Sequence, residues 1–215
     1  MANQDVEYYR RIITTKPATV LIVGCGTGED AARVRQLLPH ANITALEPSK
    51  TSVAIARKNL KNSNITIVNT MMEAWKPSLK YDLVICSGVL HHTKDPANNL
   101  KLLSSWLNKT GRLIVGVYHH ARWENRIERK DFHKYARQYS IAQLMDGSAN
   151  PREKTYSWGM FLHDAKMAGL VPEKTGHRLP VPHGRVWCVL YDALFIYARQ
   201  QMMLVRFKRV KTSVS

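Results

Sequence analysis

An apolar run that ends in three alternating glycines constrains the fold of this chain more than any other feature. Residues 19–30 read TVLIVGCGTGED, with glycines at positions 24, 26 and 28. A short run of β-branched and aliphatic residues that ends in glycine predicts a buried strand. The glycines predict a loop whose backbone a ligand can approach closely, at the amino terminus of a following helix. The segment therefore predicts a strand, a binding loop and a helix.

Strands and helices alternate along the first 120 residues. Apolar runs predict strands, and apolar residues at helical spacing between them predict helices. The strands are expected at 19–24, 42–47, 64–69, 81–88 and 112–119. Before the last of them, Asp95 is expected to cap a helix with Pro96 in its first turn, and Gly111 is expected to end it. This alternation predicts an α/β fold with a doubly wound parallel sheet, whose ligands bind at the carboxyl ends of the strands.

The pattern changes after residue 120. Residues 121–156 form a polar, basic insert, and a helix is expected from Trp158 to Gly169. The remaining residues are expected to return to the sheet as antiparallel edge strands, the last of them around 203–210. A length of 215 residues fits one domain. We therefore divide a single domain, 1–215, into a cofactor-binding core at 17–120, an insert or lid at 121–156, and a C-terminal helix and edge strands at 157–215.

The spacing of the glycines distinguishes between cofactors. Dinucleotide folds use GxGxxG, whereas this chain has GxGxG followed by Glu29 and Asp30. Two carboxylates in the opening turn would repel a pyrophosphate and tolerate a ligand with a cationic amino-acid end. The loop therefore favours S-adenosylmethionine (SAM) and disfavours an NAD-dependent dehydrogenase.

Four motifs together resemble a known family. VLIVGCGTGEDAA resembles the glycine-rich first motif of class I SAM-dependent methyltransferases, and the resemblance continues through TALEPS, DLVICSGVLHHTKDP and LNKTGRLIVGVYH. The motifs follow the order and spacing of that family and cover residues 17–120. The resemblance implies a mostly parallel, seven-stranded Rossmann-like sheet, SAM as the cofactor, and methyl transfer as the reaction.

The resemblance also implies which residues bind the cofactor. The loop backbone would approach the methionyl part, Glu47 would accept hydrogen bonds from the ribose hydroxyls, and the end of the fourth strand would line the methionine end. Where the family often has Asp followed by Glu, this chain has Met71 and Glu73, so we expect Met71 and Met72 to supply apolar packing and a backbone amide to adenine. The full set of expected cofactor residues is Gly24, Cys25, Gly26, Gly28, Glu47, Pro48, Met72, Glu73, Ser87 and Gly88.

Histidines and a tyrosine follow the fourth and fifth strands, where the acceptor must lie. His91 and His92 are candidate bases for a hydroxyl acceptor, because a neutral imidazole accepts a proton. The alternative is that they only orient the loop. Tyr118 and His119, with His120, are rival candidates expected to face the same crevice. No metal site is predicted, because adjacent histidines on an extended segment point to opposite faces.

Two missing motifs narrow the acceptor. The fourth strand is followed by SGVL, residues 87–90, rather than an NPPY-like tetrapeptide or a Pro-Cys pair. This disfavours methylation of an adenine or glutamine amino group and of cytosine carbon 5. We expect a small-molecule acceptor with an oxygen, carbon or less demanding nitrogen, and leave anionic and lipid-like acceptors open.

The net charge of +16 adds further candidate partners. Residues 1–75 carry +3 and residues 76–215 carry +13, including six cations among aromatic residues at 122–137. This excess suits nucleic acid, anionic lipid or an acidic small molecule, and a solvated surface is the equal alternative. An RNA methyltransferase and a non-catalytic SAM-binding protein are the competing hypotheses. Peripheral membrane contact by the tail at 198–215, ARQQMMLVRFKRVKTSVS, is a less favoured one.

The remaining predictions concern location and assembly. Three cysteines without ligand spacing are expected to be reduced thiols, and no run of apolar residues is long enough to span a membrane. We therefore expect a cytoplasmic protein. The sequence does not indicate an oligomeric state.

Overall fold

One mixed sheet organises the described part of the chain. The computed structural model describes residues 2–119, 155–176, 181–197 and 202–210. Within them, seven strands form the sheet in the order β3-β2-β1-β4-β5-β7-β6. The strands are β1 Thr19–Val23, β2 Asn42–Glu47, β3 Ile65–Asn69, β4 Tyr81–Ser87, β5 Leu107–Tyr118, β6 Leu170–Thr175 and β7 Met202–Arg209. The predicted seven-stranded, mostly parallel sheet is confirmed. Of the insert predicted at 121–156, only Thr155 and Tyr156 lie within the described residues.

Helices cover both faces of the sheet. They are α1 Ala2–Ile12, α2 Glu29–Leu37, α3 Lys50–Asn59, α4 Pro96–Ser105, α5 Trp158–Met167 and α6 Gly184–Tyr197, with short 3-10 turns at Met72–Ala74 and Leu90–His92. One buried cluster includes Leu100 of α4, Phe161 of α5 and Tyr191 of α6. The other includes Ile12 of α1 and Val34 of α2. No helix in the described ranges is both long and apolar enough to cross a membrane.

The strand directions bring the predicted binding segments to one edge. β1 pairs in parallel with β2 and with β4, and β4 pairs in parallel with β5. Their carboxyl ends, and the segments that follow them, therefore lie along the same edge of the sheet.

The predicted cap of α4 is also confirmed, because the Asp95 carboxylate accepts a hydrogen bond from the Asn98 amide at 3.0 Å and Pro96 is in the first turn.

The C-terminal strand lies inside the sheet rather than at its edge. β7 pairs antiparallel with both β5 and β6, so β6 is the edge strand and the expectation of an edge strand near 203–210 is wrong. The predicted alternation is confirmed, since Leu204 packs in one cluster and Val205 and Phe207 in the other. With helices on both faces, the apolar side chains of both sets are buried, whereas the Lys208 side chain is half-exposed. Of the tail at 198–215, only 202–210 lie within the described residues, and Leu204, Val205 and Phe207 there are buried and not available to a membrane surface.

The fourth helix ends earlier than the sequence predicts. Leu107 lies in β5, and the Tyr81 amide donates to the Trp106 carbonyl at 2.8 Å. The pairing of β4 with β5 shifts register between Tyr81 and Leu83. A Cβ on Gly111 would lie 2.7 Å from the Tyr81 carbonyl oxygen. Gly111 therefore permits a close approach of two strands and does not end the helix.

Two helices were not predicted. α1 places Tyr9 and Ile12 in the core, and α6 has the sequence GRVWCVLYDALFIY. The sequence of α6 is apolar almost throughout, so it shows no contrast between a polar and an apolar face from which a helical period could be recognised.

Candidate functional site

The glycine loop after β1 turns back onto the end of β2. The amides of Gly24 and Cys25 both donate to the Leu46 carbonyl, at 2.8 and 3.0 Å. Gly24 and Gly26 have φ angles of 72° and 53°, in the left-handed region that favours glycine. A Cβ on Gly24 would lie 2.2 Å from Val89 Cγ2, whereas one on Gly26 would have no atom within 4 Å. Gly24 therefore allows the loop to pack, and Gly26 leaves its backbone open to a ligand.

Glu47 is held next to that open backbone. Its side chain is buried at the end of β2, where Oε2 accepts from the Gly26 amide and Oε1 from the Ser49 amide, each at 2.9 Å. Each carboxylate oxygen has a second lone pair, so the group can still accept hydrogen bonds from a diol. Asn69, which the sequence analysis did not single out, pairs with Glu47 across β2 and β3 and donates to the carbonyls of Glu47 and Pro48 at 2.8 and 2.9 Å.

The other predicted cofactor residues lie along the same edge with different exposures. Met71 is 58% exposed, whereas the Met72 side chain is buried in the core, so Met71 presents the apolar side chain after β3. Glu73 accepts from Asn99 Nδ2 of α4 at 2.8 Å, which holds its carboxylate toward that helix. Ser87 Oγ lies 3.7 Å from Met202 Sδ at the end of β4.

Gly28 and Gly88 complete the set of predicted glycines. A Cβ on Gly28 would lie 2.8 Å from Leu60 Cδ1, so this glycine permits close packing of α2 against α3. Gly88, with a φ angle of 73°, has no atom within 4 Å of an added Cβ. Among the four glycines predicted to bind the cofactor, Gly26 and Gly88 are thus the two with open space where a Cβ would stand.

The acids in the first turn of α2 are paired. Arg33 lies 2.9 Å from Asp30 Oδ1 and 3.6 Å from Glu29 Oε2, and the Tyr9 hydroxyl donates to Asp30 Oδ2 at 2.9 Å. Arg33 offsets one of the two negative charges, so the turn still disfavours a pyrophosphate, but less strongly than two acids without a cation would. The preference for SAM also depends on the loop spacing and on Glu47.

Tyr9 gives a testable contribution to stability. It is 3% exposed, and burial, followed by the charge of Asp30, raises its pKa well above the usual value. We expect Tyr9→Phe to lower the free energy of unfolding by about 1 kcal/mol, the usual net worth of a hydrogen bond. Urea denaturation of Tyr9→Phe, Asp30→Asn and the double variant measures this. If the stability losses of the two single variants added up to that of the double variant, a direct contribution of the Tyr9–Asp30 hydrogen bond would be contradicted.

Buried thiols make the fold sensitive to alkali. Burial, and then the nearby Glu47 charge, raises the pKa of Cys25 from 9.0 to about 11, and burial raises the pKa of Cys86 to about 12. Above the thiol's usual pKa the unfolded chain loses protons that the folded chain keeps, so the unfolding free energy falls as pH rises.

We therefore expect the stability to be retained below pH 9 and to fall between the usual thiol pKa and about 11. Urea denaturation at about pH 8 and about pH 10.5 measures the loss. Cys25→Ala and Cys86→Ala should each show a smaller loss than the wild-type protein. If both variants lost as much stability between the two pH values as the wild-type protein does, the assignment to the thiols would be contradicted.

Three of the predicted acid–base residues form one cluster at the rim of the site. The His91 ring lies 3.9 Å from the Tyr118 ring and 4.2 Å from the His92 ring, between ring centroids. His91 is fully buried, while His92 and Tyr118 are partly exposed. The expectation that the two histidines point to opposite faces is wrong, because they form a 3-10 turn rather than an extended strand. We call His91, His92 and Tyr118 the rim cluster.

His119 is fully buried and is held by α6. Its Nε2 is 2.8 Å from Asp192 Oδ1 of α6, and Asp192 also accepts from the Trp158 amide at 2.9 Å. Consecutive residues at the end of β5 point to opposite faces. The expectation that Tyr118 and His119 face the same crevice is therefore wrong, and His120 lies outside the described residues. In the described ranges no group of three or more His, Cys, Asp or Glu could hold a metal ion.

A family model and several known proteins are similar to this chain. The model described as "Methyltransferase domain" matches residues 6–158. A malonyl-[acyl-carrier protein] O-methyltransferase of Halalkalibacterium halodurans is 30% identical over 120 residues, 54% of this chain and 44% of that protein. A tRNA1(Val) (adenine(37)-N6)-methyltransferase of Vibrio cholerae is 28% identical over 109 residues, 49% of this chain and 43% of that protein. The chain thus spans less than half the length of either relative.

Solved structures share the fold. The mitomycin 7-O-methyltransferase MmcR has a TM-score of 0.67 at 17% identity, covering 97% of this chain and 54% of that one. The plantazolicin methyltransferase BpumL, solved with S-adenosylhomocysteine (SAH), has a TM-score of 0.65 at 16% identity, covering 97% of this chain and 82% of that one.

Proposed function

The chain belongs to the methyltransferase domain family of class I SAM-dependent methyltransferases, and on that premise we propose that it transfers a methyl group from SAM to an oxygen atom of an anionic small molecule. The observation that carries the proposal is the position of Glu47, whose carboxylate accepts a hydrogen bond from the Gly26 amide at 2.9 Å, next to loop backbone with open space in front of it. The Glu47 carboxylate can accept hydrogen bonds from a diol, and the loop backbone beside it is open to a ligand. Together they suit a ligand that joins a nucleoside to a flexible amino-acid part.

The residues present fit SAM. Added Cβ atoms on Gly26 and Gly88 would meet no atom within 4 Å. The backbone that follows β1 and the backbone that follows β4 are therefore both open to a ligand. Glu47 would hold the ribose and Met71 would pack on the adenine. SAM supplies a methyl group on a sulfonium, which is electrophilic enough that positioning of the acceptor contributes much of the catalysis.

The rim cluster would act on the acceptor. Its two partly exposed members, His92 and Tyr118, line the rim where β4 and β5 end. With a hydroxyl acceptor, a neutral imidazole would take the proton. With a carboxylate acceptor there is no proton to remove, and the cluster would only orient the acceptor.

An anionic oxygen acceptor is supported by charge and by relatives. Residues 76–215, which include the rim cluster, carry +13, and such a field attracts anions. Several relatives are named malonyl-[acyl-carrier protein] O-methyltransferases, and a malonyl group ends in a carboxylate.

RNA is the second candidate acceptor. The same charge of +13 and the tRNA-methylating relative favour it. Against it, the segment after β4 is SGVL, which lacks the residues that hold a planar amino group. Binding of RNA would weaken steeply with added salt, because phosphate contacts release counterions.

Transfer of labelled methyl from SAM into fractionated cell extract tests the proposal. We expect the label in small acidic metabolites, as alkali-labile methyl esters or alkali-stable methyl ethers, and we expect Glu47→Ala to transfer less label than wild type at limiting SAM. Label in RNA, with salt-sensitive binding to bulk tRNA, would favour the second candidate. SAM binding without label in any fraction would indicate a non-catalytic protein, and calorimetric binding of NAD without a response to SAM would contradict the cofactor.

A further inference from the structure

The helix α6 exposes an apolar face. Val186, Trp187, Val189 and Leu190 are 72%, 57%, 67% and 47% exposed, and we call these four residues the α6 face. At 100° per residue they occupy one side of the helix. The opposite side is buried, where Tyr191 packs edge-on against Trp158 of α5 at a centroid distance of 6.2 Å. The helix is therefore apolar on both sides, and only one side covers the core.

The α6 face combines apolar side chains with positive charge. The sequence of α6 contains two charged residues, Arg185 and Asp192. Asp192 points inward, where it accepts hydrogen bonds from the His119 ring and the Trp158 amide. Arg185 and the preceding His183 are exposed. The outward side of the described helix thus presents aliphatic groups and a tryptophan, Arg185 lies at the edge of that side, and the single acid is turned inward.

We propose that the α6 face binds the surface of an anionic lipid bilayer, with the helix lying in the plane of the interface. A tryptophan and aliphatic residues with flanking cations are typical of such helices. An anionic leaflet attracts a chain of net charge +16 over about a Debye length. The 14 residues of α6 extend about 21 Å, which suits a helix lying on the surface.

Charge decides between a bilayer and other partners. A second copy would bring two chains of +16 together, and their repulsion opposes association. A nucleic acid would contact cations through its phosphates and would leave the valines and leucine of the α6 face exposed. An anionic bilayer satisfies both the charge and the apolar groups.

Co-sedimentation of the full chain with vesicles tests this inference. The vesicles are phosphatidylcholine alone, and phosphatidylcholine with about a quarter phosphatidylglycerol to supply the anionic charge. The test variant is Trp187→Ser/Leu190→Ser, and the matched control is Leu79→Ser, because Leu79 and Leu190 are both 47% exposed. We expect the test variant to bind the anionic vesicles at least about tenfold more weakly than wild type, and the control to bind like wild type.

Several results would overturn the inference. They are equal binding by wild type and test variant, absence of binding to either vesicle, equal binding to both vesicles, or a matching loss in the control. A wild-type dimer that the test variant dissociates would assign the α6 face to a second copy. Val186→Ser/Val189→Ser repeats the test independently. Calorimetric SAM affinity, measured on every variant, separates a failure of this inference from a failure of the proposed function.

Discussion

Gly24→Ala is expected to lower the free energy of unfolding by about 3 kcal/mol or more. Two costs combine. The φ angle of 72° costs a residue with a Cβ about 1–2 kcal/mol, and an added methyl group that lies 2.2 Å from Val89 Cγ2 costs about 1–3 kcal/mol more. Urea denaturation measures the loss.

A second substitution separates the two costs. Val89→Ala removes the clashing methyl groups, so Gly24→Ala/Val89→Ala should lose less stability than the sum of the single variants, by about 1 kcal/mol or more. Additive losses would show that Val89 does not restrict the loop.

Gly26→Ala is the matched comparison for Gly24→Ala. Its φ angle of 53° carries a similar backbone cost, but no atom lies within 4 Å of the added Cβ. We expect a loss of stability of about 1 kcal/mol, together with weaker SAM binding because the methyl group enters the open approach to the backbone. Equal stability losses at the two glycines would contradict the distinction between packing and ligand access.

Glu47→Ala is expected to weaken SAM binding by about ten- to a hundredfold. Hydrogen bonds to a charged acceptor are worth about 1.5–3 kcal/mol each. The substitution also removes the acceptor that holds the Gly26 and Ser49 amides at 2.9 Å, so the loop loses support as well as the ribose contact. Calorimetry with SAM measures the dissociation constant.

Two variants control for charge and for loop support. Glu29→Gln removes an exposed acid from the neighbouring turn and should leave SAM affinity close to wild type. Glu47→Gln retains one acceptor oxygen and should lie between wild type and Glu47→Ala. An unchanged affinity in Glu47→Ala would show that the ribose binds elsewhere, and a loss in Glu29→Gln of equal size would show a general effect of charge.

Much of the fold could be predicted because its signals are local. The run at 42–47 is β2 with the bounds expected of it, and Asp95 caps α4 as its position before Pro96 indicated. The placement of Glu47 beside the glycine loop followed from the family's motif order. By contrast, α6 escaped prediction because its apolar sequence contains no helical contrast.

Errors in the predicted site came from assumptions about neighbours. The sequence analysis weighed the charges of Glu29 and Asp30 alone, and Arg33 one turn later offsets one of the two. His91 and His92 were assumed to lie on an extended segment, and a 3-10 turn places their rings 4.2 Å apart.

Local patterns in the chain were sufficient for the class of fold and for the strand and loop that are predicted to bind the cofactor, whereas the candidate acid of the ribose site followed from the resemblance to the family. Backbone preferences of glycine and the burial of short apolar runs act within a few residues, so they can be recognised from the amino-acid sequence alone. The packing of Gly24 against Val89, the position of β7 between β5 and β6, and the inward turn of Asp192 that leaves the α6 face apolar arose only on folding. Each joins residues far apart along the chain, and such contacts depend on strand order and helix packing, which no short pattern encodes.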